Sequence, residues 1–357
     1  MKMKILVFNF GSTSSKIAVF EDSKEMFSET INHDQEFLKA HKIPAEQLDG
    51  RMADVMAALK ENNFDLHEFD AICSRAGLIR PVEAGTYLIN DQCVADAKDM
   101  SIGGIQPHGL ALVIASELSK EYGIPAYFCD PVSTDEMLDI AKVSGYAPMK
   151  RASRFHALNH KAVARRCAND IGKAYEELNL IGIHLGGGTS LAAHSKGRCI
   201  DICDCSEDGN FSMDRPGGLP LLSVVDMCYS GEYEKQEVKR IFKQDAGMFS
   251  YVGTKDMRDV TARVEAGDKE AELAFKAFAY QIGKCTGAMA AVLKYDVDGI
   301  FITGGIAHGK KMVDEITQYI EKIAPIYVYP GENEMEALAL GALRVLTGET
   351  EAKVYTK

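Results

Sequence analysis

Hydrophobic positions along this chain switch repeatedly between a period of two and a helical period. Lys4–Phe10 (KILVFNF) is an apolar run broken by one Asn, as expected of a buried strand. After the polar stretch GSTSS, Ile17–Phe20 (IAVF) is again rich in β-formers. Residues 45–63 place Leu48, Met52, Val55, Met56 and Leu59 at helical spacing. Residues 69–73 predict a short buried strand, and 109–123 a helix closing at Gly123. A strand over 125–130 ends on Asp130. The stretch 145–155 (GYAPMKRASRF) turns to Gly, Pro and basic residues, which predicts a domain boundary near 150.

Beyond that boundary, 155–167 reads as a helix and 180–185 as a strand. Asp268 caps a long helix with apolar residues at 271, 274, 275, 278, 282, 285, 289 and 292. Residues 298–307 (DGIFITGGIA) predict a strand, a Gly turn and a helix start. The tail 334–348 aligns Met335, Leu338, Ala339, Ala342 and Leu346 on one helix face and closes at Gly348. Strands and helices alternate throughout, so the fold class is α/β.

One internal echo stands out. ILVFNFGSTSSKIAVF (5–20) and LIGIHLGGGTSLAAHS (180–195) share an apolar strand, a Gly-rich turn and a second strand. Gly11 and Gly186 are 175 residues apart, which suggests two related domains rather than a solenoid. Two unrelated Gly hairpins would look the same.

Composition narrows the function. With 357 residues, 46% hydrophobic and 26% charged, the chain has the usual globular mix and room for about two domains. The net charge of −12 argues against nucleic acid or an anionic membrane as partner, while leaving room for a local basic pocket. No apolar run approaches a membrane span, and KILVF is too short for a signal sequence. Nine scattered cysteines, an odd number, read as reduced thiols of a cytoplasmic protein.

The candidate chemistry begins in the two Gly turns. Small residues in a hairpin expose backbone N–H groups, and such nests attract phosphate oxygens. Ser12 and Ser14 add hydroxyls and Lys16 adds charge; His184, Gly186, Gly187 and Gly188 offer the same in the second half. Gly304, Gly305 and Ile306 form a strand–turn–helix junction on which a nucleotide can lie. Neither a P-loop nor a dinucleotide fingerprint is present, since Gly11 stands alone before Lys16. Arg75 ends a buried strand, where anions bind in α/β sheets, and Arg215 lies between an acid and a proline turn. Either could equally be an ordinary surface ion pair. Asp130 is a turn-capping acid or an acid at the sheet edge that orients Mg²⁺ or a nucleophile.

Several other motifs fail. His156 and His160 have zinc-protease spacing, but Ala157 replaces the required Glu. Asp204, Ser206, Asp208 and Gly209 imitate a calcium loop whose last position is Arg215 instead of Glu. Cys199, Cys203 and Cys205 lack a second zinc pair, and there is no nucleophile elbow.

Taken in order, NFGSTSSK, SRAG, DPVSTDEM, RFHALNHKAVARR, HLGGGTS, TKDMRDV, ITGGIA and YPGENEMEALALGALRVL resemble the butyrate-type members of the acetate kinase family of acyl-phosphate-forming enzymes. The likeness spans residues 4–347. It implies two duplicated actin-like ATPase (ribonuclease H-like) domains with a central nucleotide cleft. Residues 1–150 with the C-terminal helix 331–357 would form the acyl and phosphate domain, and 151–330 the nucleotide domain. The implied reaction is ATP + butyrate ⇌ ADP + butyryl phosphate, by in-line transfer in a homodimer or higher homo-oligomer. Another carboxylate (acetate, propionate, a branched acid) and a non-catalytic ATP sensor are the alternatives.

The resemblance also implies site roles. Asn9 and Glu334 match Mg²⁺-holding positions, with Glu332 the alternative to Glu334. Lys16 matches an ATP contact, and His184 to Gly188 the second phosphate loop. Asp256, Met257 and Arg258 match a nucleotide-contacting triplet, and Gly305 to Gly309 the segment beside adenosine. Arg75 matches the substrate-binding arginine and Asp130 the catalytic acid. His156 and Arg215 match the groups that stabilise the transferring phosphoryl.

Overall fold

The computed structural model describes residues 2–102 and 104–356. The chain forms two compact units, Met1–Asp135 with Asn333–Lys357, and Glu136–Glu332.

In the first unit, β1 (Lys4–Phe10), β2 (Ser14–Glu21) and β3 (Lys24–Asn32) make an antiparallel meander. On the other side of β1, β4 (Ala71–Ser74) pairs in parallel, then β6 (Ala126–Cys129) pairs in parallel with β4. The antiparallel β5 (Thr86–Leu88) and a short strand, Lys353–Val354, complete a seven-stranded sheet. β1 is an interior strand, between β4 and β2, and buries Ile5 to Phe8 completely, which explains its apolar run. β3 has no fully buried residue; Lys24, Glu25 and Glu29 guard this edge while Phe27 and Ile31 pack half-buried on the core. Helix Pro107–Tyr122 starts with Pro at its first turn and ends at Gly123 in the left-handed region (φ 71°).

The second unit repeats this plan. β7 (Asn179–Leu185), β8 (Thr189–Ser195) and β9 (Arg198–Asp204) form the meander. β10 (Gly299–Gly304) and β11 (Ile326–Pro330) follow in parallel on the β7 side. The strand order β11-β10-β7-β8-β9 reproduces β6-β4-β1-β2-β3. Helix Lys269–Val292 covers this sheet; the Asp268 side chain accepts from the N–H groups of Glu270 and Ala271, at 3.0 and 3.1 Å, and caps it.

The break between the units falls at 135/136, upstream of the Gly–Pro–basic stretch. Residues 136–151 are docked onto the second unit. Glu136 forms a buried ion pair with Lys161 (2.5 Å) and accepts from the Cys199 N–H (2.8 Å). Leu138 donates to the Ile200 carbonyl at 3.0 Å, and Arg151 reaches Asp201 at 2.8 Å. Composition alone makes this stretch look like a linker. Among the described residues no helix is long and apolar enough to cross a membrane.

Candidate active site

In both units most candidate residues lie on the chain just beyond the carboxyl ends of the parallel strands, where α/β sheets bind ligands, while Asp256 to Arg258 sit at the start of a separate helix. In the first unit Phe8, Ser74 and Phe128 lie side by side across β1, β4 and β6. The chain continuing past them supplies Asn9, Arg75 and Asp130.

Arg75 Nη1 donates to Glu334 Oε1 at 2.7 Å, and Asn9 Nδ2 donates to Glu334 Oε2 at 2.7 Å. Glu334 opens helix Glu334–Leu346, whose buried Met335, Leu338, Ala339 and Ala342 pack it under β1, β4 and β6. Three positions from distant parts of the sequence thus form one cluster. Glu332 is elsewhere, 3.6 Å from His184 Nε2 in the second unit. Asp130 is buried and holds a positive φ of 39°, a strained backbone for a non-glycine residue. Its Oδ1 accepts from the Gly85 N–H at 2.7 Å. Gly77 of the SRAG stretch has no Cβ because one would meet the Gly109 backbone nitrogen at 2.8 Å. That close approach brings in His108, which sequence reasoning missed. Its Nδ1–H donates to the Phe10 carbonyl at 2.6 Å; burial lowers its pKa, with Arg75 adding to the effect.

The first hairpin turns through residues 11–14, closed by the Gly11 N–H donating to the Ser14 carbonyl at 2.8 Å. Ser12 is exposed, Ser14 half-buried, and Lys16 exposed on β2 opposite Asn9. The second hairpin is one residue tighter, closed by the Gly186 N–H donating to the Gly188 carbonyl at 3.0 Å.

Around that second hairpin the structure assembles His156, His184, Gly188 and Arg215. A Cβ on Gly188 would overlap Nη1 of Arg215 and stand 3.5 Å from His156 Nε2. A Cβ on Gly186 would stand 3.1 Å from His184 Nε2 and 3.2 Å from Glu332 Oε1. The His156 and His184 rings stack at 3.8 Å. The Ser212 hydroxyl accepts from the Arg215 backbone N–H at 3.2 Å and holds the base of that loop.

The protonation pattern of the histidines follows from one carbonyl. His160 Nε2 faces the Ser190 carbonyl at 3.3 Å, and a carbonyl only accepts, so Nε2 carries the proton. His160 Nδ1 then accepts from His194 Nε2–H at 3.3 Å, and His194 Nδ1 accepts from the Tyr175 hydroxyl at 2.7 Å. The Ser190 hydroxyl, 3.2 Å from His160 Nε2, gives its own proton to His156 Nδ1 at 2.8 Å. With Nδ1 accepting, the His156 proton sits on Nε2, on the side of Gly188 and Arg215. Burial pushes His160 down to about 3 and His194 and His184 well below the usual histidine range. His184 Nδ1–H donates to Asn159 Oδ1 at 2.8 Å, while Asn159 Nδ2 donates to the Glu332 carbonyl at 2.9 Å. Asn159 and Ser190 were not predicted; their only sequence signal is proximity to His156 and Gly188.

The remaining predicted positions are placed as follows. Gly304 (φ 92°) ends β10, and a Cβ there would overlap the Leu185 carbonyl, so glycine is required. Gly305 faces open space, and Ile306 packs on the core. Asp256 caps helix Met257–Glu265 through the Arg258 N–H at 2.8 Å. Hydrogen bonds from the Arg258 guanidinium, then from its backbone N–H, hold Asp256 down to about 2. Met257 is a core residue, which leaves its backbone for any ligand.

Among the described residues there is no group of three or more His, Cys, Asp or Glu that could hold a metal. Asn9 and Glu334 nevertheless fit magnesium, which keeps several waters and binds through one or two carboxylates plus substrate phosphates. Each Glu334 oxygen accepts one donor and retains a lone pair.

The duplicated meander with two parallel strands is the actin-like, sugar-kinase class of α/β fold. The whole chain superposes on acetate kinase from Porphyromonas gingivalis with a TM-score of 0.77, at 17% identity, covering 98% of this chain and 100% of that one. The family model described as the acetokinase family matches residues 147–345. A probable butyrate kinase of Clostridium botulinum (strain Alaska E43 / Type E3) is 45% identical over 356 residues, 99% of this chain and 100% of its own. A probable butyrate kinase 2 of Caldanaerobacter subterraneus subsp. tengcongensis is 47% identical over 352 residues, 99% of each chain. The protein belongs to the acetokinase family.

Proposed function

We propose that the protein is an ATP:butyrate phosphotransferase, ATP + butyrate ⇌ ADP + butyryl phosphate. The observation that carries this reading is the near-full-length likeness to butyrate kinases. The clusters around Arg75 and Arg215 supply chemistry that suits it.

Butyrate is ionised at neutral pH and needs no strong base. Its oxygen attacks the γ-phosphorus in line; the bond from γ-phosphorus to the β,γ-bridging oxygen breaks, and ADP leaves with that electron pair. The difficulty is bringing one anion against another, so the protein must supply position and positive charge. Arg75 binds the carboxylate with the part of its fork that Glu334 does not occupy. The Ser12–Ser14 and Gly186–Gly188 turns receive phosphate oxygens through backbone N–H and hydroxyl groups, with Lys16 adding positive charge; His184, neutral and with its proton held by Asn159, lines the second turn and contacts the nucleotide there. His156 Nε2–H and Arg215 neutralise the equatorial oxygens of the moving phosphoryl. Asp256, Met257, Arg258, Gly304, Gly305 and Ile306 contact the nucleotide. Asn9 and Glu334 hold Mg²⁺ through water, and Asp130 orients this hydrated group. An ion held there would supply positive charge that offsets the phosphates.

The chain is further proposed to act as a homodimer. Helix Leu221–Tyr229 supports this, since none of its residues is buried and Leu221, Leu222, Val225 and Tyr229 are exposed.

The test is a hydroxamate assay with ATP and straight-chain acids from acetate to hexanoate, with and without Mg²⁺. Only an acyl phosphate traps hydroxylamine. Butyrate is expected to lead the panel and to need Mg²⁺. ATP binding without transfer to any acid would instead mark a nucleotide sensor.

A further inference from the structure

Arg51 is fully buried on helix Leu48–Glu61. Among the described residues no carboxylate forms an ion pair with it; Asp54, paired with His33, lies near enough only to favour its charge. Its guanidinium is instead spent on the first hairpin. Nη1 donates to the carbonyls of Gly11 (3.0 Å) and Ser14 (3.1 Å) and to the Ser15 hydroxyl (3.1 Å). Nη2 donates to the Ser12 carbonyl at 3.1 Å. Gln47 Oε1 takes the remaining side of the fork, 3.1 Å from Nε and 2.8 Å from Nη2. The Ser15 hydroxyl also meets His33 Nε2 at 2.9 Å.

Burying a guanidinium is costly, and an apolar residue of similar volume would serve stability at least as well. What the arginine adds is direction. In a trans peptide the C=O and the following N–H point opposite ways. Drawing the Gly11 and Ser12 carbonyls inward therefore turns the N–H groups of Ser12 and Thr13 outward, on the exposed side of the turn. Successive outward N–H groups form an anion nest, and here a permanent cation stands directly behind it.

We propose that Arg51 is a positioning residue for the nucleotide: it sets the polarity of the 11–14 turn so that this turn grips ATP phosphates. The proposal rests on reading that turn as a phosphate site.

The experiment compares wild type with R51M, R51K and Q47M. It measures KM for ATP and for butyrate, and calorimetric binding of ATP and of adenosine, with thermal melts as a folding control. R51M is expected to raise KM for ATP about tenfold or more, through loss of charge-assisted hydrogen bonds. KM for butyrate and adenosine binding should stay within about twofold. R51K, which keeps the charge without the fork, and Q47M, which releases one side of it, should fall between. If R51M does not fold, R51K and Q47M decide. Unchanged ATP constants in the folded variants overturn the proposal, as does an equal loss for ATP, adenosine and butyrate, which marks a merely structural role. A wild type that binds ATP no better than adenosine overturns the phosphate-site reading itself.

Discussion

Gly188 has no side chain where the end of Arg215 lies, and the two positions depend on each other. In Gly188→Ala the new methyl displaces the guanidinium, which is flexible, while the hairpin backbone stays. Turnover should fall at least about tenfold with a melting temperature within a few degrees of wild type. Arg215→Ala should cost on the order of 100-fold or more in kcat. Steady-state assays beside thermal melts check both, and Arg215→Ala activity within a few-fold of wild type would refute the role given to it. At this scale the sequence was informative where a residue breaks its local pattern. Arg75 and Asp130 end buried strands, and Arg215 interrupts a turn. Arg51 was illegible, because a charged residue within a helical pattern reads as solvated surface. His160 and His194 were equally silent, since their meaning lies in a hydrogen-bond chain joining a helix to β8.

Among the elements, β8 and the helix Ala157–Ile171 are locked by buried neutral histidines, with a consequence for pH. His160, His184 and His194 stay unprotonated in the folded state, His160 down to about pH 3. The unfolded chain protonates them near pH 6.5. Below that pH the unfolded state binds more protons, so stability falls as pH falls. The loss is about 1.4 kcal/mol per pH unit for each such histidine. Urea midpoints between pH 6.5 and 4.5 should fall steeply in wild type, with a flatter slope in His160→Asn. Gly304→Ala strikes the junction of β10 and β7, where the clash is with backbone and φ is positive; it should destabilise by about 2 kcal/mol or more. The Gly hairpins and the long helix were legible because their signals are local. β3 was not, since only Phe27 and Ile31 of this edge strand pack on the core, and Glu29 stands between them on the same face.

For the molecule as a whole, the repeated strand order accounts for the echo between residues 5–20 and 180–195. The proposed dimer gives a direct check: Leu222→Asp with Val225→Asp should convert a dimeric mass to a monomeric one by light scattering. A wild type that is already monomeric would sink the proposal. The division at 135/136 has no signal in composition, because docking through Glu136 and Arg151 is tertiary information. The first unit is assembled from both ends of the sequence, and this shapes its biosynthesis. A nascent chain cannot seat Glu334 against Arg75, or cover β1, β4 and β6, until all of Glu136–Glu332 has left the ribosome. At ordinary synthesis rates that leaves an apolar sheet waiting on the order of 10–40 seconds. The intervening unit is free to fold first, so the amino-terminal segment is the last to complete its core.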